Sequence, residues 1–268
     1  MSNHNSEMIS KLMPVLFIGH GSPMNAIEEN QWSHAFRALS TQLPKPKSIL
    51  AISAHWFVPG TFVTGNDQPE TIHDFGGFPK ELYEVEYPAP GSHELAKRVV
   101  ELIGEERCSV RNDWGLDHGT WSVLMYLFPN ADVPVVQLSI NRRLTAMEHI
   151  DIGKSLRALR SEEVLVIGSG NITHNLADAF SRYENKEPKT PDWAERFDKK
   201  VAEILTNREF EMLAQIVETA DGKLAHPTRD HFIPLLYAAG AALHEATITF
   251  PITGFDMGSL SMRAVKFG

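Results

Sequence analysis

The chain has 268 residues and only one cysteine, Cys108. A single cysteine excludes an internal disulfide framework, and it also excludes a zinc site built from several thiolates. The same sequence contains 12 histidines. We therefore expect that any metal in this protein is bound by imidazole nitrogen and by oxygen, and not by sulfur.

Long apolar runs are also missing from the sequence. No stretch approaches the roughly 18 consecutive apolar residues that cross a bilayer as a helix. Residues 1–11 are polar and lack the apolar segment of a secretory signal peptide. From these two observations we expect a protein that does not bind membranes and that works in the cytoplasm.

Positive charge is in the minority. Lys and Arg number 25 against 34 Asp and Glu, which gives a net charge of −9. An acidic chain of this kind is a poor candidate for coating nucleic acid or an anionic membrane surface. Hydrophobic residues make up 43% and charged residues 22%, values that are typical of a globular domain with a real core.

Short apolar runs that stop at glycine, proline or a polar residue recur along the chain. They cover residues 15–18, 48–54, 133–140 and 164–167. Strands that are apolar on both faces are typical of a parallel sheet covered by helices. Helical patterns lie between and after these runs, at residues 32–39, 92–104, 145–159, 192–205, 207–217 and 230–243.

Strands that alternate with helices predict an α/β fold. We expect a single catalytic domain over residues 14–268, with a central, largely parallel mixed sheet flanked by helices on both faces. Residues 1–13 are predicted to be a flexible N-terminal tail. Two further strands are predicted at 247–250 and 261–267. The segments 57–90 and 186–191 are rich in proline, glycine and charge and are predicted to be long surface loops.

Three histidines stand near the ends of predicted strands. His20 and His55 each follow a strand directly, and His174 lies a few residues beyond the run at 164–167. Ligands of open α/β sheets bind outside the carboxyl ends of the strands, so these three imidazoles can converge. His118 and His231 each lie just before a predicted helix. Any one of these histidines alone is more often a hydrogen-bonded edge residue than a ligand.

The other histidines have simpler settings in the sequence. His73 lies in the long loop, where a lid residue and a solvated residue are both consistent with the pattern. Five more are predicted to be surface residues on helices or part of the tail, namely His34, His93, His149, His244 and His4. Imidazole and carboxylate ligands with open positions suit zinc or non-haem iron(II). We expect one divalent metal per chain, and the spacing does not choose between the two.

Four motifs carry a family resemblance. The segments at 19–23 (GHGSP), 53–56 (SAHW), 116–121 (LDHGTW) and 168–175 (GSGNITHN) resemble those of class III extradiol ring-cleavage dioxygenases. The nearest group is the 4,5-DOPA extradiol dioxygenase-like proteins. The resemblance implies a single α/β domain, one metal, and oxidative opening of a catechol ring beside its two hydroxyls with O₂.

The resemblance also implies roles for individual residues. His20 and His55 match the two metal-binding histidines, and His231 matches a further histidine near the metal. His174 matches a histidine that is assigned to the metal site in the DOPA-type group and to acid–base catalysis in the wider superfamily. His118 matches a histidine at the substrate pocket. The wider superfamily completes its metal site with a glutamate, for which this sequence has no equivalent motif.

The implied reaction requires a proton carrier. A catechol hydroxyl loses its proton on binding, and a later step needs a proton back. A histidine with a pKa near 6.5 can do both at neutral pH, and His118 and His174 are the candidates. Four aromatic residues are candidates for a pocket wall, although a core role is equally consistent with their pattern: Trp56, Phe75, Phe78 and Trp121.

Three other functions fit parts of the pattern. Tetrapyrrole metal chelatases also place a Gly-His-Gly-Ser-like segment after their first strand. A zinc hydrolase would use a metal-bound water on an ester or amide. A non-enzymatic metal-binding protein would fill every coordination position with its own residues. The sequence names neither the catechol nor the oligomeric state.

Overall fold

The computed structural model describes residues 12–187, 189–242 and 246–268. His4, predicted in the tail, and His244, predicted on a helix surface, lie outside the described residues, as does Leu243 at the end of the last predicted helix. Residues 1–11 of the predicted tail also lie outside them. The division of the chain into a tail and one catalytic domain therefore stays a prediction.

The strands are numbered in chain order. They are β1 (Val15–Gly19), β2 (Ser48–Val58), β3 (Thr61–Thr64), β4 (Cys108–Arg111), β5 (Val135–Asn141), β6 (Val164–Gly170), β7 (Ile248–Ile252), β8 (Phe255–Asp256), β9 (Leu260–Ser261) and β10 (Ala264–Phe267). The first four buried runs predicted from the sequence correspond to β1, β2, β5 and β6. Two predicted C-terminal strands became β7 and the separate short strands β9 and β10.

The α-helices are numbered in the same way. They are α1 (Gln31–Ser40), α2 (Lys80–Tyr83), α3 (His93–Ile103), α4 (His118–Leu127), α5 (Ala146–Ser155), α6 (Leu176–Glu184), α7 (Asp192–Asn207), α8 (Leu213–Ile216), α9 (Ala220–Ala225) and α10 (Ile233–Ala241). Turns of 3-10 helix cover Pro23–Ala26, Leu156–Glu162 and Phe210–Met212.

Side-chain caps begin several of these helices. The Ser92 hydroxyl accepts a hydrogen bond from the Leu95 amide at the start of α3. Thr145 and Glu148 form a reciprocal capping box at the start of α5. Such caps satisfy amide groups that have no partner inside the first helical turn. Both caps agree with the helix starts predicted from the sequence.

Within the described residues, eight strands form one sheet in the order β4-β3-β5-β2-β6-β1-β10-β7. The four central strands, β5, β2, β6 and β1, pair in parallel. Antiparallel pairs join β3 to β5, β1 to β10, and β10 to β7. The predicted central, largely parallel mixed sheet is confirmed.

Helices cover both faces of the sheet. Because alternate residues of a strand point to opposite sides, each central strand contributes to two hydrophobic cores. Phe17 of β1 belongs to a core that includes residues of α3, α5, α7 and α10. Its neighbour Ile18 belongs to a second core, which includes residues of α1 and α4. The central strands are therefore buried on both sides, as their continuous apolar runs predicted.

Three local predictions were wrong. The segment 57–90 is not one loop, because it contains the end of β2, all of β3 and α2. His55 does not follow β2 but lies within it, where the pairing with β5 shifts register between Ile52 and Phe57. His149 is not a surface residue: it is 1% exposed, and its Nδ1 lies 3.0 Å from the Tyr237 hydroxyl of α10.

No helix of the described residues combines the length and the apolar character that a bilayer crossing requires.

Candidate metal centre

The histidines predicted at the sheet edge come together in the structure. The ring centroid of His20 lies 5.1 Å from that of His55, 5.6 Å from that of His118 and 5.3 Å from that of His231. The His55 and His118 centroids are 3.8 Å apart. Each of His20, His55 and His118 offers one ligand atom, and these atoms all lie within 4.8 Å of one another.

The backbone delivers His20 directly from β1. The His20 amide donates a hydrogen bond to the Gly170 carbonyl at 3.0 Å, so the pairing with β6 continues past the end of the strand. A Cβ on Gly19 would come within 2.7 Å of the Ser261 carbonyl oxygen. Only glycine lacks the Cβ atom that would clash there, which explains why a glycine precedes His20.

His118 is the first residue of α4. Asp117 caps this helix by accepting a hydrogen bond from the Thr120 amide at 3.2 Å, and it also accepts one from the Gln137 side chain. Gly119 follows, and a Cβ there would lie 2.5 Å from Ser53 Oγ and 2.9 Å from His55 Cδ2. The glycine therefore lets the start of α4 approach the histidines closely.

His231 reaches the centre from the segment before α10. Its carbonyl accepts a hydrogen bond from the Asn171 amide at 3.0 Å, which ties this segment to the end of β6. His174 also follows β6, and its ring stacks on that of His231 with a centroid distance of 3.4 Å and an interplanar angle of 5°. All five predicted site histidines are therefore in one connected cluster.

The hydrogen bond of His20 fixes its tautomer. The Ser169 hydroxyl donates its only hydrogen to the Gly119 carbonyl oxygen, which lies 2.5 Å from Ser169 Oγ and can only accept. His20 Nδ1, 2.9 Å from the same hydroxyl, must then carry a proton and donate it. The Nε2 atom of a neutral His20 is left as a bare lone pair.

The same reasoning applies to His55 and His231. His55 Nδ1 lies 3.2 Å from Asp74 Oδ2, and His231 Nδ1 is hydrogen-bonded to Asp230 Oδ2. Ionised carboxylates only accept hydrogen bonds, so His231 Nδ1 donates to Asp230, and the negative charge of Asp74 favours a proton on His55 Nδ1. His55 Nε2 lies 3.2 Å from His20 Nε2, and His231 Nε2 is buried without a hydrogen-bond partner.

Burial keeps these imidazoles neutral. Burial and the neighbouring histidines, His55 first among them, hold the pKa of His20 well below 6.5. Burial lowers the pKa of His55 to about 3, and that of His174 to about 4. Burial likewise holds the pKa of His231 well below its ordinary value. Neutral imidazole is the form that binds metals.

Lone pairs on neutral nitrogens repel one another unless a cation lies between them. The Nε2 atoms of His20 and His55 and the unpartnered Nε2 of His231 therefore fit a divalent metal ion. The stacked ring of His174 is nearly parallel to that of His231, so one ion cannot lie in the planes of both rings at bonding distance.

Three polar residues at this centre were not predicted from the sequence. Asp74 contacts both His55 and His118, Ser169 orients His20, and Asp117 is completely buried behind His118. Burial and the charge of Asp74 raise the pKa of Asp117 to about 6. A hydroxyl inside an apolar strand was a usable signal for Ser169. Asp74 gave no such signal, because its loop is distant in sequence from the histidines that it contacts in the folded protein.

Asp74 carries a carboxylate of unusually low pKa. Burial alone would raise this pKa, but the hydrogen bonds and charge of His118 and the charge of His55 outweigh it and lower the pKa to about 2. Asp74 is therefore ionised at any physiological pH. It supplies negative charge beside the centre, although the sequence has no motif equivalent to the glutamate of the wider superfamily.

Aromatic rings line one side of the centre. The Phe75 ring meets that of His118 edge-on, with centroids 5.5 Å apart, and it also contacts Phe78 and Tyr83. Trp121 lies 6.3 Å from Phe75, and its Nε1 donates to the Ile72 carbonyl. Three of the four predicted wall residues are thus in this cluster. Trp56 instead stacks on Trp114 and is 1% exposed.

Comparisons with known proteins agree with this geometry. The model of the catalytic LigB subunit of aromatic ring-opening dioxygenase matches residues 14–254. The chain is 44% identical to the 4,5-DOPA dioxygenase extradiol of Escherichia coli K12, over 97% of each chain. It is 40% identical to the protein of the same name from Beta vulgaris, over 94% of this chain and 95% of the relative.

A solved structure has the same fold. The crystal structure of an uncharacterized protein from Escherichia coli K12 aligns with a TM-score of 0.82 and 39% sequence identity. The alignment covers 96% of this chain and 100% of the other. The fold and the resemblance inferred from the motifs are both confirmed.

Proposed function

The chain belongs to the family of the catalytic LigB subunit of aromatic ring-opening dioxygenases, which are ring-cleavage oxidoreductases, and we propose that it opens catechol-type rings with O₂ at one divalent metal. The observation that carries the proposal is the convergence of His20 and His55, whose Nε2 atoms lie 3.2 Å apart. His231 offers a third Nε2 atom, which is buried without a hydrogen-bond partner.

His20, His55 and His231 would hold the metal. When bound, such an ion would supply the Lewis acidity and the electronic link that allow a catechol to react with O₂. Imidazole ligands suit both zinc and iron(II), and iron(II) is the form we propose for turnover because it is redox-active. Protein that carries zinc would then bind catechols without consuming O₂.

His118 and His174 would move the protons. The His118 ring lies beside the metal ligands, and its Nδ1 is held by Asp74, which leaves Nε2 to accept a proton from a catechol hydroxyl. His174 stands one ring further out, stacked on His231. Its nearly parallel plane favours a proton-carrying role over ligation, although the family resemblance is compatible with both.

The substrate is proposed to be an L-DOPA-like catechol. The relatives from Escherichia coli and Beta vulgaris are named for 4,5-DOPA. Phe75 and Phe78 support the proposal, since they place ring faces and edges beside His118, where a planar aromatic substrate gains offset and edge contacts.

Oxygen uptake tests this function. Protein purified without added metal is analysed for its metal content, stripped, and reloaded separately with iron(II) and with zinc. The iron-loaded form is expected to consume O₂ with L-DOPA and to form a ring-opened product, whereas the zinc-loaded form does not. No uptake by the iron-loaded form with L-DOPA or any related catechol would contradict the proposal.

A further inference from the structure

Asp74 lies in the loop between β3 and α2 and makes two hydrogen bonds and one ion-pair contact at the metal centre. Its Oδ1 accepts from the His118 backbone amide at 2.9 Å and from His118 Nδ1 at 3.0 Å. Its Oδ2 lies 3.2 Å from His55 Nδ1. The Asp74 side chain is only 16% exposed, so water competes weakly for these bonds.

Each carboxylate oxygen thus serves a different histidine. His55 is a proposed metal ligand, whereas His118 is a proposed proton carrier. An ionised carboxylate only accepts, so it selects the Nδ1–H tautomer of both rings and directs both Nε2 lone pairs towards the centre. The Asp74 side chain therefore determines the orientation of both the His55 and the His118 rings, which would otherwise be oriented independently.

The loop that carries Asp74 also carries the aromatic wall. Phe75 is the next residue, and its ring lies 5.5 Å from that of His118. The two hydrogen bonds of Asp74 to His118 and its contact with His55 consequently fix the start of this wall relative to the histidines. Any displacement of the carboxylate would move a ligand, a proton carrier and a substrate contact together.

We propose that Asp74 is a positioning residue, whose one carboxylate orients His55 for metal binding and His118 for proton transfer. The role of Asp74 in orienting His118 rests on the proposed function. Its role in orienting His55 concerns metal binding alone. An outer carboxylate of this kind makes a ligating imidazole a stronger donor and fixes its ring.

The first test is metal affinity of Asp74→Asn, measured with Co²⁺ as a spectroscopic probe in competition with a chelator. The amide keeps the size of the side chain but replaces one acceptor oxygen with a donor NH₂ group, which opposes one of the two Nδ1–H groups. We expect Co²⁺ affinity to fall about 10- to 100-fold. The visible spectrum of bound Co²⁺ should also change, because the His55 ring turns.

The second test separates the two histidines. Turnover is measured at saturating iron(II) for Asp74→Asn, for His118→Gln and for the double variant. If Asp74 assists turnover through His118, adding Asp74→Asn to His118→Gln lowers kcat little further, whereas the loss of metal affinity persists. Losses in kcat that multiply would overturn the role through His118.

Asp67→Asn is the matched control. Asp67 also pairs with a histidine, its Oδ1 lying 2.9 Å from His93 Nε2, but both side chains are exposed. This variant is expected to bind Co²⁺ and turn over like the wild type. Wild-type Co²⁺ affinity in Asp74→Asn would overturn the proposal, whether or not any catechol is cleaved.

Histidine tautomers in the wild-type protein give a test that needs no folded Asp74 variant. Nitrogen-15 NMR of the zinc-loaded protein is expected to show Nδ1–H on both His55 and His118. An Nε2–H tautomer at either ring would overturn the proposal. This measurement does not depend on O₂ chemistry, so its failure is distinct from failure of the proposed dioxygenase activity.

Discussion

The Nε2 atoms of His20 and His55 lie 3.2 Å apart. Ser169 Oγ accepts a hydrogen bond from His20 Nδ1, Asp74 Oδ2 lies 3.2 Å from His55 Nδ1, and burial keeps both imidazoles neutral. Two residues that are far apart in sequence are thus arranged for a cation. The predictions below follow from this arrangement and from its surroundings.

Substitution of single histidines should separate ligands from proton carriers. His20→Gln, His55→Gln and His231→Gln are each expected to lose bound metal after dialysis. His118→Gln and His174→Gln should keep one metal per chain and lose most of their turnover. Metal content by mass spectrometry and O₂ uptake are the two measurements.

The exposed histidine His34 supplies the control for this series, since His34→Gln should change neither quantity. Retention of full metal content by His20→Gln would refute its assignment as a ligand. Loss of metal from His174→Gln would instead place His174 among the ligands.

Gly119→Ala should weaken metal binding without unfolding the protein. The new methyl group would lie 2.9 Å from His55 Cδ2, so the His55 ring or the start of α4 must shift. Alanine is otherwise favoured over glycine in a helix by about 1 kcal/mol, so the higher helix propensity of alanine should offset part of any decrease in the free energy of unfolding. We expect Co²⁺ affinity to fall at least about 10-fold, as for loss of a group that orients a ligand.

Gly76→Ala is the control for that variant, because a Cβ on Gly76 meets nothing within 4 Å. It should bind Co²⁺ like the wild type. Equal affinities for the two alanine variants would show that the close approach of α4 has no bearing on the metal centre.

Phe75→Ala should raise KM for the catechol more than it lowers kcat. The ring contacts His118 and Phe78 at the edge of the centre, and an aromatic contact contributes roughly 0.5–1.5 kcal/mol. That range corresponds to a rise in KM of about 2- to 13-fold. Steady-state kinetics on L-DOPA measure it, with Phe180→Ala as the control.

Phe180 suits this purpose because it lies on α6 and is 51% exposed. An unchanged KM in Phe75→Ala, or an equal rise in both variants, would remove Phe75 from the substrate wall.

Two buried histidines outside the centre should make the metal-free protein sensitive to acid. Burial lowers the pKa of His149 and of His226 to about 4. The unfolded chain protonates these groups below about pH 6.5, whereas the folded protein does not until about pH 4. The free energy of unfolding should therefore fall as the pH decreases from 6.5 to 4.

The expected loss is about 1.3 kcal/mol for each of the two histidines between pH 7.5 and pH 5.5. Urea unfolding of chelator-treated His149→Gln at both pH values measures it, since the amide can still bond the Tyr237 hydroxyl. The variant should lose about 1.3 kcal/mol less than the wild type. An identical loss in His149→Gln and wild type would show that His149 is not buried in its neutral form.

The sequence predicted the sheet well because the central strands are apolar on both faces. The runs of β1, β2, β5 and β6 have no other favourable environment, and the five site histidines lie near the ends of three of those strands or at the starts of two helices. Short elements were predicted poorly. β3 and α2 have only four residues each, too few for a period to stand out from loop composition.

Residues that orient the ligands could not be predicted in the same way. Asp74 and His118 are 44 residues apart, and nothing in either segment indicates that they are in contact. His149 was misplaced because a helix with polar neighbours looks exposed until α10 is packed against it. Pairings of this kind depend on tertiary structure, which periodicity along the chain does not record.

The central claim is that His20, His55 and His231 hold one divalent ion through their Nε2 atoms. An anomalous-difference map from crystals of the zinc-loaded protein, collected on both sides of the zinc absorption edge, tests it most directly. The account predicts one peak per chain, about 2.0–2.1 Å from each of the three Nε2 atoms. A peak bound through Nδ1 atoms, or at another place in the chain, would contradict it, as would no peak at all.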